Sequence, residues 1–527
     1  MRPTRDGRSR RGESATRRSL LGVCGAGTLA ALAGCTGSDD GSGNGDGSGS
    51  GDGSANGDDS GSGDRTEDGD GSDNGPGEGG SELADAVSIE LVADIAPGDS
   101  SDPDFLTVAG DRLYFRADDG EHGAEPWTTD GTEAGTQLVV AIGSRASASS
   151  RPENLVEYEG DIVFLTSYRE HFWRTDGTED GTIQLASEGP RDRPVECDGR
   201  LYFGAVNDER LWISDGTEAG TEAVTDIGPD SDGWGWNGPT RLTATDDSVF
   251  FRYYDPELED DVLWMTDGTE EGTQMVPTDD APMIRDPVLL RTAGGLLYFG
   301  ARADEDAPRV PWCSDGTAAG TFRLVDPEDP DLFTTQSMMP YGDRVVFSVD
   351  TSEAAWERGA DLWITDGTTG GTEFLGEVNT RSHSNGHDWD DYTEYDGRLF
   401  FVGSDQVDYR GHNLWATDGT AEGTEPVAQI AMEIADGDYE ETGIEDLTVV
   451  GDYLFFTADD GETGQQLWIS DGTESGTTMV APDSATVEDP LHYSHDDQSV
   501  VVYDGDCYFT AEYTDAGREL WRASVDD

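Results

Sequence analysis

Residues 361–375 read DLWITDGTTGGTEFL. The skeleton Trp, one residue, Thr or Ser, Asp-Gly-Thr, two residues, Gly-Thr occurs eight times, with its Asp at Asp130, Asp176, Asp215, Asp267, Asp315, Asp366, Asp418 and Asp471. The tryptophans are Trp127, Trp173, Trp212, Trp264, Trp312, Trp363, Trp415 and Trp468; a ninth, Trp521, runs into the C-terminus without the turn. Asp accepts hydrogen bonds from its own turn, and the Gly after it takes a positive φ that other residues resist. The eight Asp residues are therefore structural turn formers, and each Trp is a large apolar anchor between neighbouring sheets.

Working outward, each repeat holds four short strand-like runs, as in DLTVV, YLFFTAD, QLWIS and TTMVA between residues 446 and 481. Tight pairs join the first run to the second: Gly110-Asp111, Gly160-Asp161, Asp198-Gly199, Gly342-Asp343, Asp396-Gly397, Gly451-Asp452 and Asp504-Gly505. Such pairs between alternating apolar runs are hairpin signals. A period near fifty residues with four strands each predicts an all-β fold, a β-propeller of about nine four-stranded blades. The run VSIELVADI, Val87–Ile95, lacks three partners, and the C-terminal segment from residue 498 lacks a fourth strand. Paired, they complete a blade and close the ring, which removes exposed edges. An eight-bladed ring with one aberrant unit, and an open solenoid, remain the alternatives.

ADDGEHGAEPWTTDGTEAGT (117–136) and ADDGETGQQLWISDGTESGT (458–477) resemble the ELWxxDGT repeat family, and the resemblance covers essentially all of residues 87–527. It implies a repeat architecture and little about activity.

The chain divides into residues 1–35, 36–84 and 85–527. Thr16-Arg17-Arg18-Ser19-Leu20-Leu21 resembles a twin-arginine export signal, and Leu32-Ala33-Gly34-Cys35 resembles a lipobox with Cys35 as the lipidated residue. Residues 36–84 are nearly all Gly, Ser, Asp and Asn, too poor in apolar surface to offset ordering entropy, and read as a disordered tether. The expected location is the extracellular face of the cell membrane, held by the lipid. With 112 acidic and 32 basic side chains, and no lysine among the latter, the formal charge is −80. That charge disfavours nucleic acid and suits a halophile, where molar salt screens repulsion within a few ångströms. Cys197, Cys313 and Cys507 have no CxxC spacing and read as buried core thiols.

Alternating strands put the short first-to-second and third-to-fourth turns on one face and the variable loops on the other, where binding residues tend to ride. Trp234, Trp236, Trp356 and Trp389 map to the loop face beside Tyr253, Tyr254 and Tyr439. They are candidates for stacking on a glycan or anchoring an envelope protein; the plainer reading is that they pin their own loops. His383 and His387 with Asp388, Asp390 and Asp391, and His492 and His495 with Asp496 and Asp497, are candidate metal ligands, with solvated loop histidines as the alternative. Asp99/Asp102/Asp104, Asp118/Asp119 and Asp230/Asp232 offer the oxygen ligands Ca2+ takes, although no segment matches an EF-hand loop and so acidic a chain forms such clusters by composition. The functional expectation is a non-catalytic, lipid-anchored surface binding or scaffold module. The alternative is a propeller enzyme acting on extracellular carbohydrate or a small substrate, for which no Gly-x-Ser-x-Gly, HExxH or phosphate loop is present.

Overall fold

The computed structural model describes residues 83–143, 149–166, 171–206, 208–225, 238–325, 334–350, 360–380, 392–404, 413–430, 443–461, 463–482, 485, 491 and 500–525. The proposed signal, Cys35 and nearly all of the tether lie outside them.

The fold is all-β, built of repeated antiparallel four-stranded blades of propeller type. The first comprises Asp104–Ala109, Arg112–Asp118, Ala124–Thr129 and Gln137–Leu138, paired in chain order. Eight hydrogen-bonded sheets result among the described residues. One has eight strands because the fourth and fifth units are joined at a single pair, Val262↔Arg285, and the seventh carries a short fifth strand, Asn379–Thr380, so that nine units built on four strands follow one another. The ninth is composite. Val500–Tyr503, Asp506–Ala511 and Glu519–Val525 are its first three strands, and Val87–Ala93 pairs antiparallel with Glu519–Val525 as the fourth.

The core explains the sequence period. In every unit the central Phe of the second strand lies directly opposite the repeat Trp of the third, from Phe115↔Trp127 to Phe456↔Trp468 and Phe509↔Trp521. Such aromatic pairs contribute about 0.5–1.5 kcal/mol beyond area burial, and Phe299/Trp312 and Phe456/Trp468 are stacked. Each Trp also belongs to, or packs on, the apolar cluster shared with the preceding unit. Trp312 is fully buried, whereas Trp173, Trp212, Trp264, Trp363 and Trp468 keep one edge in solvent.

Neighbouring units are also tied by tyrosines at the end of first strands. Tyr158 Oη donates to Gly199 O at 2.8 Å and Tyr341 Oη to Gly397 O at 2.6 Å, each reaching the hairpin turn of the next unit. Tyr395 does the same to Asp452. Tyr503 of the composite unit donates to Asp111 O of the first unit at 2.6 Å. An apolar cluster of Val92, Leu106, Leu113, Phe115, Tyr503 and Tyr508 joins these two units, and another containing Phe455, Leu467, Val500, Phe509 and Trp521 joins the eighth unit to the composite one.

The hairpin turns follow their sequence signals with one shift of register. In the second unit the turn is Glu159-Gly160, both at positive φ, and Asp161 already pairs with Tyr158. Gly supplies the second left-handed position there, as it does in Asp198-Gly199 and Asp396-Gly397. Cys197, Cys313 and Cys507 are free and buried, and burial pushes the Cys313 thiol up to about 12.

Candidate functional site

The turn face. Each Asp-Gly-Thr segment forms the same hydrogen-bonded knot. In the first unit Asp130 Oδ1 accepts from the Thr132 N–H at 3.1 Å and from its hydroxyl at 2.6 Å. Thr132 Oγ1 then accepts the Gly135 N–H at 3.0 Å, and the Thr136 hydroxyl donates to Thr132 O at 2.9 Å. Thr129 Oγ1 accepts the Gly131 N–H and bonds the Thr136 hydroxyl, at 3.0 and 2.8 Å. Both glycines have reasons. Gly131 sits at φ +84, with the Tyr508 hydroxyl of the neighbouring unit where a β-carbon would go. Gly135 has no room either: a β-carbon would lie 1.9 Å from Asp130 Oδ1. The carboxylates of Asp130, Asp215, Asp267, Asp366 and Asp418 are held below the usual Asp range, first by the hydroxyl of the following Thr. These oxygens are engaged in folding the turn.

The loop face. All four candidate tryptophans (Trp234, Trp236, Trp356, Trp389), all four candidate histidines (His383, His387, His492, His495), Tyr439 and the Asp230/Asp232 pair lie outside the described residues. Tyr253, read from sequence as a loop-face aromatic, is instead 1% exposed and packs edge-on against Trp264. Its strand, Val249–Asp255, runs farther than the loop reading allowed and turns the ring inward. Asp99, Asp102 and Asp104 do not assemble a cation cage: Asp104 pairs with Arg116 and lies 3.9 Å from Arg518, and Asp99 Oδ1 accepts the Ser100 N–H. Asp118 and Asp119 cap their own loop, with Asp119 Oδ2 2.7 Å from His122 Nδ1. Among the described residues no three His, Cys, Asp or Glu side chains converge as metal ligands.

Two groups on this face escaped the sequence reading. One is the residue two before the repeat Trp. Glu125 is fully buried and accepts the N–H groups of Ile142, Gly143 and Ser150, each at 3.1 Å, together with the Ser150 hydroxyl. Glu519 repeats the device, taking the Ile95 and Ala96 N–H groups at 3.2 and 3.4 Å and the Ser101 hydroxyl. Burial raises both carboxyls above the usual Glu range, against the pull of those donors. In the seventh unit Asn413 does part of this work, accepting the Ile430 N–H at 3.2 Å.

The other group is an arginine cluster at the seam of the fourth and fifth units. Asp260 and Asp261 begin the third strand of the fourth unit, and Arg285 and Asp286 begin the first strand of the fifth. Arg302 ends a second strand, and Arg309 precedes a third. Asp286 faces Arg302 at 3.2 Å and Arg252 at 3.7 Å and is paired with Arg309. Asp260 faces Arg285 at 3.2 Å and Arg302 at 3.6 Å, and Asp261 pairs with Arg252. Burial opposes the Arg252 charge, yet bonded Asp261 holds its guanidinium above its ordinary pKa. The Nε–H groups of Arg302 and Arg309 are buried with no acceptor.

No protein-family model matches the chain, and no curated protein matches it. Among solved structures, a puromycin-hydrolysing peptidase from Mycobacterium tuberculosis is similar at 12% identity and a TM-score of 0.38, over 80% of this chain and 60% of that one. The chain thus spans less than two thirds of the peptidase, and likeness at this level says nothing of its activity.

Proposed function

We propose that the protein is a non-catalytic surface-binding module: a closed nine-bladed propeller, lipid-anchored through Cys35, that presents its variable-loop face to a glycan or an envelope protein. The observation that carries this reading is the asymmetry of the faces. The turn face spends its repeated polar side chains on its own knots, as at Asp130, Thr132 and Thr136. The loop face differs from unit to unit, as binding loops on a rigid scaffold do. The strand beginning at Val87 enters beside Val525, at the turn-face end of the composite blade. Closure is supported by the Tyr503–Asp111 bond, which repeats the tyrosine link of three internal junctions.

The test is a pull-down in molar salt. The full chain is incubated with envelope proteins and glycans beside a variant carrying Ala at Trp234, Trp236, Trp356 and Trp389. Retention by the wild type and loss by a folded variant is the expected result. Equal retention by both refutes the aromatic contribution, and no retention refutes the binding reading.

A further inference from the structure

The seam between the fourth and fifth units does not need its arginines for cohesion. That interface already has an apolar cluster of Phe250, Leu263, Ile284, Leu290, Leu297 and Phe299, and the two sheets share the Val262↔Arg285 pair. A simple ion-pair staple would also balance its charges. Among the described residues Arg252, Arg285, Arg302 and Arg309 share three carboxylates, Asp260, Asp261 and Asp286, and Arg302 also donates to Glu305 O at 3.2 Å. A surplus of guanidinium is notable in a chain whose acids outnumber its bases 112 to 32. Four guanidiniums bring about twenty N–H donors and three carboxylates about twelve lone-pair sites, so donors are in excess. The Nε–H groups of Arg302 and Arg309 are buried, so the donors open to a ligand are the terminal N–H groups of these side chains, which are 28% exposed.

Asp286 shows which acceptor the cluster is shaped for. One planar carboxylate gathers three guanidiniums, and it does so from a left-handed backbone, φ +47, that Asp tolerates better than most residues. The guanidinium fork matches a carboxylate in two parallel bonds. Molar salt reduces the screening length to about 3 Å, so long-range attraction is lost while such short-range, geometry-dependent bonds persist.

We propose that this cluster binds a carboxylate on a saccharide ligand, a uronate-type unit, with Arg302 and Arg309 as the principal donors. The proposal rests on the surface-binding reading and names the ligand chemistry for one sector of the loop face. Its test is calorimetric titration of the full chain in molar salt with oligogalacturonate, a neutral galactose oligomer of equal length and dextran sulfate. Oligogalacturonate should bind, the neutral oligomer should not, and Arg302→Gln and Arg309→Gln should each weaken binding at least tenfold with an unchanged melting profile. Asp286→Asn should tighten binding, because Asn accepts the same backbone conformation while releasing three guanidiniums. That gain keeps the proposal testable if either Arg variant misfolds.

No binding of oligogalacturonate, binding of the neutral oligomer with equal strength, stronger binding of dextran sulfate, or folded Arg variants that bind as well as the wild type would each overturn it. So would an Asp286→Asn protein that folds and binds no better. Retention of an envelope protein or a neutral glycan in the pull-down, with no oligogalacturonate binding, leaves the surface-binding reading intact and removes this one alone.

Discussion

The two faces of the blades are made by opposite ends of the same strands, yet they handle carboxylates in opposite ways. On the turn face, Asp130, Asp215 and Asp267 are exposed, bonded to adjacent hydroxyls and held below the ordinary Asp range. On the loop face, Glu125 and Glu519 are fully buried beneath loop backbone, and burial raises them. The first arrangement is local and can be spelled in eight residues, so it recurs. The second needs a partner loop, 17 to 25 residues away for Glu125 and 418 to 424 for Glu519, so it varies with the loop. Repetition marks what the scaffold requires, and departures from it mark where the molecule is free to specialise.

The severest challenge to that scaffold is removal of residues 1–93. It strips the fourth strand from the composite blade and takes Ile89, Leu91 and Val92 out of two apolar clusters. At about 1.5–3 kcal/mol for each buried side chain, the loss should be on the order of 5 kcal/mol. Denaturant unfolding in molar salt measures it; an unchanged midpoint would mean that this strand is dispensable. Next, Gly135→Ala should cost about 2–4 kcal/mol, because its β-carbon collides with Asp130 Oδ1 and breaks the knot. Gly120→Ala, at φ +77 in open space on the loop face, should cost only about 1–2 kcal/mol. Equal costs would erase the distinction between the faces.

Glu125→Ala should cost about 2–3 kcal/mol by leaving three N–H groups and a hydroxyl without their acceptor. Faster amide exchange at Ile142, Gly143 and Ser150 should accompany it, while turn-face amides keep their protection. The smallest effect is in titration. Lowered Asp215 and Asp267 contribute stability that is present above their unfolded pKa and lost as pH falls through the folded value. Raised Glu125 and Glu519 act with the opposite sign: as pH falls through their folded pKa toward the unfolded one, their contribution becomes more favourable. Carboxyl carbon shifts followed by NMR should move apart in these directions, and a common pKa for both sets would break the comparison.

Much of the turn face was legible from sequence because local backbone demands are written locally. Trp363 and Asp366 announce a strand and its turn, and the unmatched Val87 run identified the missing fourth strand of the C-terminal blade. The reason for Gly135 was not legible, since it is a steric relation to Asp130 that appears only once the turn closes. Glu125 and Glu519 were hidden by composition: among 112 acids, two that are buried look like surface. The arginine cluster was hidden by spacing, because residues 252, 285, 302 and 309 follow no repeat and meet only where two sheets join. Tyr253 misled because a strand that continues into an apparent loop reverses which side its rings face.

The hydrogen bond from Ser88 to Ser524 spans 436 residues of chain. At about 5–20 residues per second of synthesis, the strand at Val87 waits roughly 20–90 s for its partner. Through that interval the edge of Val87–Ala93 has no partner within its own blade. Any chain that stalls or is cut before Glu519 lacks the partner for that edge. Completion of the composite blade therefore waits on synthesis through Glu519–Val525, after the other eight blades have their strands.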